Sequence, residues 1–556
     1  MKTITKVGLA VLSGLLIAAA WPVHGLVPLA FVAFVPLLYL QDRHYSFWLS
    51  AITFLIWNAL TTWWVWKTTA VGTIAMIVLN TLFMTCVFWA YHFVKTRLYG
   101  NKKGYYILII FVLAFEYLHL HWQLNWPWLN LGNVFSHYHS WVQWYEFTGI
   151  AGGTIWVLVS NILIYKLLFV GDFSIPLRSS RNDEQQTSFR AKRSVVETRA
   201  KREHSPQVNK SPVFYSVLLL CVLFIPLIIS KIIYACYNEQ GDAVEVVVVQ
   251  PNLDPYSEEF TLTAAEIMQR NLSVAVPLMT DSTRFVVSPE SAIQEEVWLE
   301  RIDNYYSIRG LRRFIARYPQ TCYVIGISAY GLVPEGHEDN FAARKFSNID
   351  KYYYAYNTAA LITKDTIQLY HKSRLTPGAE AMPSWWILRM LKDSALDLGG
   401  TVGTLKKDSE ARTLSFDNYK VGTLICYESV FGEYVTEFVK KGAEMLFVIT
   451  NDGWWGDSPG HKQHLEFSKL RAIETRRSIA RSANTGISGF INQRGDIIEQ
   501  SKYWEQTALR NSIKTNDKLT FYVRFGDYLY KIAVFMTALL VALTIVKLII
   551  GKQWKH

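Results

Sequence analysis

Three apolar, β-forming runs in the second half of the chain end on residues that could share one reaction. "RFVVSPES" ends on Glu290, "LYHKSRLTPGAE" carries Lys372 with Glu380 eight residues on, and "VGTLICYES" ends on Cys426, followed by Tyr427 and Glu428. A free thiol titrates near pH 8.5, so at neutral pH it is mostly protonated and a weak nucleophile. A carboxylate can take its proton, and a lysine can stabilise both the thiolate and the oxyanion of a tetrahedral intermediate. Glu, Lys and Cys are therefore sufficient parts for acyl transfer through a thioester, with no catalytic histidine.

Each residue also has a plainer role open to it. A cysteine after an apolar strand is often a small buried hydrophobe. Glu290, after Pro289, suits the first turn of a helix, where the helix dipole favours an acid. Lys372 could be solvated, and Glu380 and Glu428 could be surface or hydrogen-bonding carboxylates. His461 and His464 have i,i+3 spacing but no clear third ligand, so no metal site is expected. No cofactor is expected either, because no glycine-rich phosphate loop is present.

The elements that must position these residues are legible in the pattern. Residues 237–525 alternate short β-type runs, among them "AVEVVVVQPN", "CYVIGISAY", "NTAALIT", "EMLFVITND" and "ISGFINQRG", with helical stretches such as "HLEFSKLRAIETRRSIARSA". Such alternation predicts a layered α/β domain. In such domains strand ends and their loops gather site residues on a rigid sheet.

The rest of the chain is different. Hydrophobic residues make up 51% of the sequence and charged residues only 18%, too apolar for an ordinary soluble enzyme. Apolar runs at Val7–Trp21, Leu26–Leu40, Phe47–Val65, Thr73–Val94, Tyr105–His121, Thr154–Val170, Phe214–Tyr234 and Tyr528–Ile550 predict about eight transmembrane helices. The first two could form a helical hairpin, and the first is expected to be retained rather than cleaved as a signal peptide. Positive charge is concentrated on one side in every alternation, above all in the basic loop 171–212, which that pattern places in the cytoplasm. The net charge of +11 then needs no nucleic acid to explain it. The expected organisation is a helix bundle over 1–236, the α/β domain over 237–525 on the extracytoplasmic side, and a final helix and tail over 526–556. Five cysteines without a CxxC pair argue against a disulfide framework.

The order "SPES…YHKSRLTPGAE…ICYES…NDGWWGDSPGHKQH" resembles the Glu-Lys-Cys signature of the nitrilase (carbon–nitrogen hydrolase) superfamily. With the flanking spans and "EYLHLHWQLNWPWLNLG" before the sixth, essentially the whole chain resembles the apolipoprotein N-acyltransferase family. The resemblance implies a nitrilase-like αββα sandwich on the periplasmic side of the bacterial inner membrane, carried by a multi-pass integral membrane bundle. It implies Glu290 as general base, Lys372 as oxyanion stabiliser and Cys426 as nucleophile. Glu380 and Glu428 match supporting positions, Tyr427 matches the aromatic beside the nucleophile, and Asn451, Trp454 and Trp455 fall in the family's mobile loop. Phe260 stands near where members often have tryptophan. The basic insert looks longer than the family requires.

The activity so implied is the last step of lipoprotein maturation. A phospholipid donates an acyl chain to the cysteine, and the α-amine of a diacylglyceryl-modified lipoprotein accepts it. A monomer is expected. A membrane-anchored amide or nitrile hydrolase with the same triad gives no reason for eight spans. A transporter or scaffold fits poorly with spans that hold few charges, Glu116 being the one carboxylate among them.

Overall fold

The structure is a computed structural model describing residues 1–22, 25–100, 103–170, 212–259, 261–337, 340–381 and 404–553. Phe260 and nearly all of the basic insert lie outside the described residues.

The valine run of "AVEVVVVQPN" forms the strand Ala243–Gln250. Its side chains alternate between two cores. Val246 and Val248 pack with Phe285, Leu424 and Phe447 between two sheets, whereas Val247 and Val249 pack with Met268, Ile308 and Leu311. A strand covered on both faces needs apolar residues at every position, which is why the run does not alternate with polar residues. The first sheet has eight strands. Thr507–Lys514, Ala243–Gln250, Thr283–Val287, Cys322–Leu332, Tyr352–Ile362 and Arg344–Lys345 lie side by side. Ile293–Trp298 pairs with the fourth of these and Ile367–His371 with the fifth. The second sheet has six, in the order Ile497–Gln500, Gly489–Ile491, Ile479–Ala483, Met445–Thr450, Tyr419–Ile425 and Leu414–Phe416. Helices Ala264–Ala275 and Tyr306–Ile315 cover the outer face of the first sheet. Gly432–Lys440 and Pro459–Thr475 pack on the second, giving helix, sheet, sheet, helix.

Among the described residues, five helices are long and apolar enough to cross a membrane: Thr3–Ala20, Ala70–Tyr99, Ile150–Phe169, Val213–Cys236 and Tyr528–Ile550. Tyr106–His121 is a shorter apolar helix. The run expected to span at Leu26–Leu40 is instead two short helices, Val27–Phe31 and Val35–Arg43. A proline stands at the start of each, Pro28 and Pro36, where a missing N–H costs nothing but a continuous helix could not pass. The run Phe47–Val65 ends its α-helix at Thr62 and tightens into a 3-10 turn over Trp63–Lys67.

Glu116 knits the bundle rather than opening a polar path. Its carboxylate accepts from the Leu131 N–H at 2.7 Å, the Thr154 hydroxyl at 2.9 Å and the Tyr530 hydroxyl at 3.0 Å, tying three helices to one turn. Bundle and α/β domain share one continuous apolar core.

Candidate active site

Cys426 closes the strand Tyr419–Ile425 with φ +50°, a left-handed backbone that costs a non-glycine residue energy. The surroundings hold it there. The Glu428 carboxylate accepts the Ile425 N–H at 2.9 Å, and the Ser429 hydroxyl donates to the Cys426 carbonyl at 2.8 Å. His464 Nε2 lies 3.2 Å from the same carbonyl, and its Nδ1 lies 2.9 Å from Asp452. Asp452 in turn pairs with Arg481, all three fully buried. Burial and the nearby Glu290 charge push the Cys426 thiol well above its ordinary range, although Lys372 opposes them. At rest the thiol is protonated, so a reaction through it would need a base.

Glu290 follows the strand Thr283–Val287 and Lys372 follows Ile367–His371. Lys372 Nζ donates to Glu290 at 3.0 Å and to Glu380 at 2.8 Å. The Asn357 side-chain amide donates to the same two carboxylates at 2.7 and 3.0 Å. Glu290's other oxygen accepts the Asn451 N–H at 3.1 Å, and Glu380's accepts the Thr376 N–H at 2.8 Å. Lys372 is 1% exposed, and a buried ammonium is tolerable only when paired. Burial alone would lower its pKa, but the two carboxylates outweigh burial and raise it well above the usual value. Burial would raise the Glu380 carboxyl; Lys372 holds it below the ordinary range.

Glu290, Lys372, Glu380, Cys426, Tyr427, Asn451, Trp454 and Trp455 all line one cavity of about 370 Å³. Its far wall belongs to the bundle. Val71, Ala75, Leu79 and Phe83, four residues apart on the helix Ala70–Tyr99, present one apolar face to it, beside Trp64, Trp126 and Trp128. The Tyr427 hydroxyl donates to the Asn125 carbonyl at 3.0 Å, and the Trp454 carbonyl accepts from Thr68 at 3.1 Å and Tyr256 at 2.8 Å. The Trp455 ring packs on Trp64, 4.8 Å between centroids. Glu428 lies behind the wall, fully buried.

Several contributors escape inspection of the motifs. Asn357 opens the expected strand "NTAALIT", and its signal is a buried amide on a largely apolar strand. Glu259 lines the cavity, with no motif to mark it. Asp452 stands inside "NDGWWG", but its pairing with Arg481 spans 29 residues. Cys426, Asp452 and His464 offer ligand atoms within 4.8 Å of one another, yet Asp452 is already engaged by Arg481, His464 and Thr450. His461 stacks on Tyr503, 4.4 Å between rings.

The two packed sheets with a Glu-Lys-Cys cluster at their strand ends define a carbon–nitrogen hydrolase domain, and the carbon-nitrogen hydrolase family matches residues 329–516. The apolipoprotein N-acyltransferase N-terminal domain matches residues 13–163. Two curated relatives, both apolipoprotein N-acyltransferases, extend the match over nearly the whole chain. That of Chlorobaculum tepidum is 26% identical over 93% of this chain and 92% of its own length. That of Geobacter metallireducens is 27% identical over 93% and 91%. Among solved structures, a Saccharomyces cerevisiae member of branch 10 of the nitrilase superfamily aligns with 49% of this chain and 90% of its own, at 16% identity and a TM-score of 0.34. By both family models and both relatives, the chain is similar to apolipoprotein N-acyltransferases over nearly its whole length.

Proposed function

We propose that the chain N-acylates lipoproteins in two half-reactions through a thioester on Cys426. Glu290 takes the Sγ proton, and Sγ attacks the ester carbonyl of a membrane phospholipid. Lys372 and backbone N–H groups near Cys426 stabilise the oxyanion. The C–O bond breaks, and Glu290 returns the proton to the departing lysophospholipid. The α-amine of a diacylglyceryl-cysteine then attacks the thioester. The C–S bond breaks, and Glu290 carries the amine's proton to Sγ. Glu380 and Asn357 keep Lys372 and Glu290 in register, and Glu428 fixes the turn that carries Cys426.

The observation that carries this reading is the shared cavity: the Glu-Lys-Cys cluster opens onto an apolar face of the helix Ala70–Tyr99. A hydrolase of small amides has no use for that wall, whereas an acyl chain entering from lipid does. We place the chain in the bacterial inner membrane as a monomer. The catalytic domain faces the periplasm and residues 171–212 the cytoplasm, following the loop charges. In the test, the purified chain in phospholipid vesicles receives a diacylglyceryl-cysteine peptide, and peptide mass is followed. A gain of one acyl chain is expected; free fatty acid with unmodified peptide would overturn the reading.

A further inference from the structure

The second half-reaction has a proton problem. An α-amine titrates near pH 7.7–8.0, so at neutral pH it arrives largely as an ammonium. Two protons must leave it before an amide stands in its place. Glu290 passes one to Sγ, and the other needs a second acceptor near the thioester.

Glu259 is placed for that task. It lines the same cavity as Cys426, Lys372 and Glu290, and is only 3% exposed. Its carboxyl accepts from Asn451 Nδ2 at 2.7 Å and Gln294 Nε2 at 3.2 Å. The backbone N–H of that same Asn451 holds Glu290, so a single residue holds the two carboxyls side by side. Their electrostatic situations differ. Lys372 neutralises Glu290 and Glu380, whereas among the described residues no cation pairs with Glu259. With no cation beside it the ionised form of this buried carboxyl is costly, and a cationic ligand would favour that form.

We infer that Glu259 is the docking group for the acceptor's α-amine, holding it beside Glu290 and the Cys426 thioester. Burial, with help from the Glu290 charge, pushes the Glu259 carboxyl up to about 8 against its two amide hydrogen bonds. It therefore titrates where the amine does. The pair exchanges easily between ammonium with carboxylate and amine with carboxylic acid, and the second form attacks. At neutral pH the free carboxyl keeps its proton, so docking the ammonium releases one proton to water; the proton shared by the pair stays on Glu259 through the attack, and the amine's last proton travels through Glu290 to Sγ.

The inference rests on the thioester reading, so its test separates the half-reactions. The full chain in phosphatidylethanolamine vesicles is acylated without acceptor. The acyl-enzyme is then discharged by diacylglyceryl-cysteine peptide or by hydroxylamine, a small nucleophile that needs no docking carboxylate. In Glu259→Gln the KM for the peptide should rise at least about tenfold, the scale of one charge-assisted hydrogen bond, while hydroxylamine discharge keeps its wild-type rate. Glu259→Asp should recover part of the loss, and it carries the test alone if the Gln variant does not fold: there a KM rise of about threefold is expected. A peptide KM unchanged from wild type overturns the inference. So does an equal slowing of hydroxylamine discharge, which would mark Glu259 as a prop for Asn451. Wild-type chain that forms no acyl-enzyme overturns the thioester reading itself, and the inference with it.

Discussion

Glu428 accepts the backbone N–H of Ser373 at 2.7 Å, although 55 residues separate them. The same oxygen takes the Arg374 N–H and the Tyr370 hydroxyl, and the other takes the Ile425 N–H. Ser373 follows Lys372 and Ile425 precedes Cys426, so one buried carboxyl spaces the lysine of one sheet from the thiol of the other. Every partner is a donor. Glu428→Gln would set an amide N–H₂ against them and leave at least one buried N–H unpaired, a cost of about 1–3 kcal/mol. A lowered melting temperature is expected, together with acyl-enzyme formation slowed at least about tenfold by the misplaced pair. Wild-type melting and rate would remove Glu428 from this role.

Lys372 fits its site by shape as well as charge. A single ammonium serves two carboxylates at 3.0 and 2.8 Å in a space with almost no solvent. Arginine keeps the charge, but its planar fork is larger and points its donors elsewhere. Lys372→Arg should lower acyl transfer at least about a hundredfold, the scale of losing one oxyanion donor. Steady-state transfer from labelled phospholipid to peptide measures it, and near-normal turnover would take Lys372 out of the mechanism.

Gly326, in the strand Cys322–Leu332, sets how closely Glu290 approaches the sheet. A Cβ there would stand 2.4 Å from the Ser291 nitrogen and 2.5 Å from Glu290 Cα, both backbone atoms that cannot swing aside. Gly326→Ala should push the Glu290 turn outward. An ångström of displacement at a reacting group costs about a hundredfold in rate. Acyl-enzyme formation should fall on that scale in protein that still inserts and folds; an unaffected rate would show that Glu290 has room to spare.

The share of this architecture legible in the sequence follows from range. Strand runs and apolar helices are local patterns, so "KVGTLICYE" and "EMLFVITND" stand where their composition put them, as Tyr419–Ile425 and Met445–Thr450. The Leu26–Leu40 run misled because its hydropathy is continuous while Pro28 and Pro36 interrupt its hydrogen bonding. The family resemblance puts Trp454 and Trp455 in a loop, but their fastening to Thr68 and Trp64 of the bundle is a contact between domains, which no local pattern encodes. Asn357, Glu259 and the Asp452–Arg481 pair carry no local signal for the same reason. Each is an ordinary polar residue until the fold brings its partner across.

The central claim is that Cys426 carries the acyl chain. Intact-mass analysis of the purified chain, given phospholipid but no acceptor amine, tests it most directly. An added acyl mass is expected, mapping to the peptide containing Cys426 and released by neutral hydroxylamine. The mass should be missing in Cys426→Ala, which should still fold, since losing one sulfur costs about 1 kcal/mol of packing. It should be missing also in Glu290→Gln, whose thiol has no base. A folded Cys426→Ala chain that still acquires the acyl mass, or still acylates a diacylglyceryl-cysteine peptide, would contradict the account.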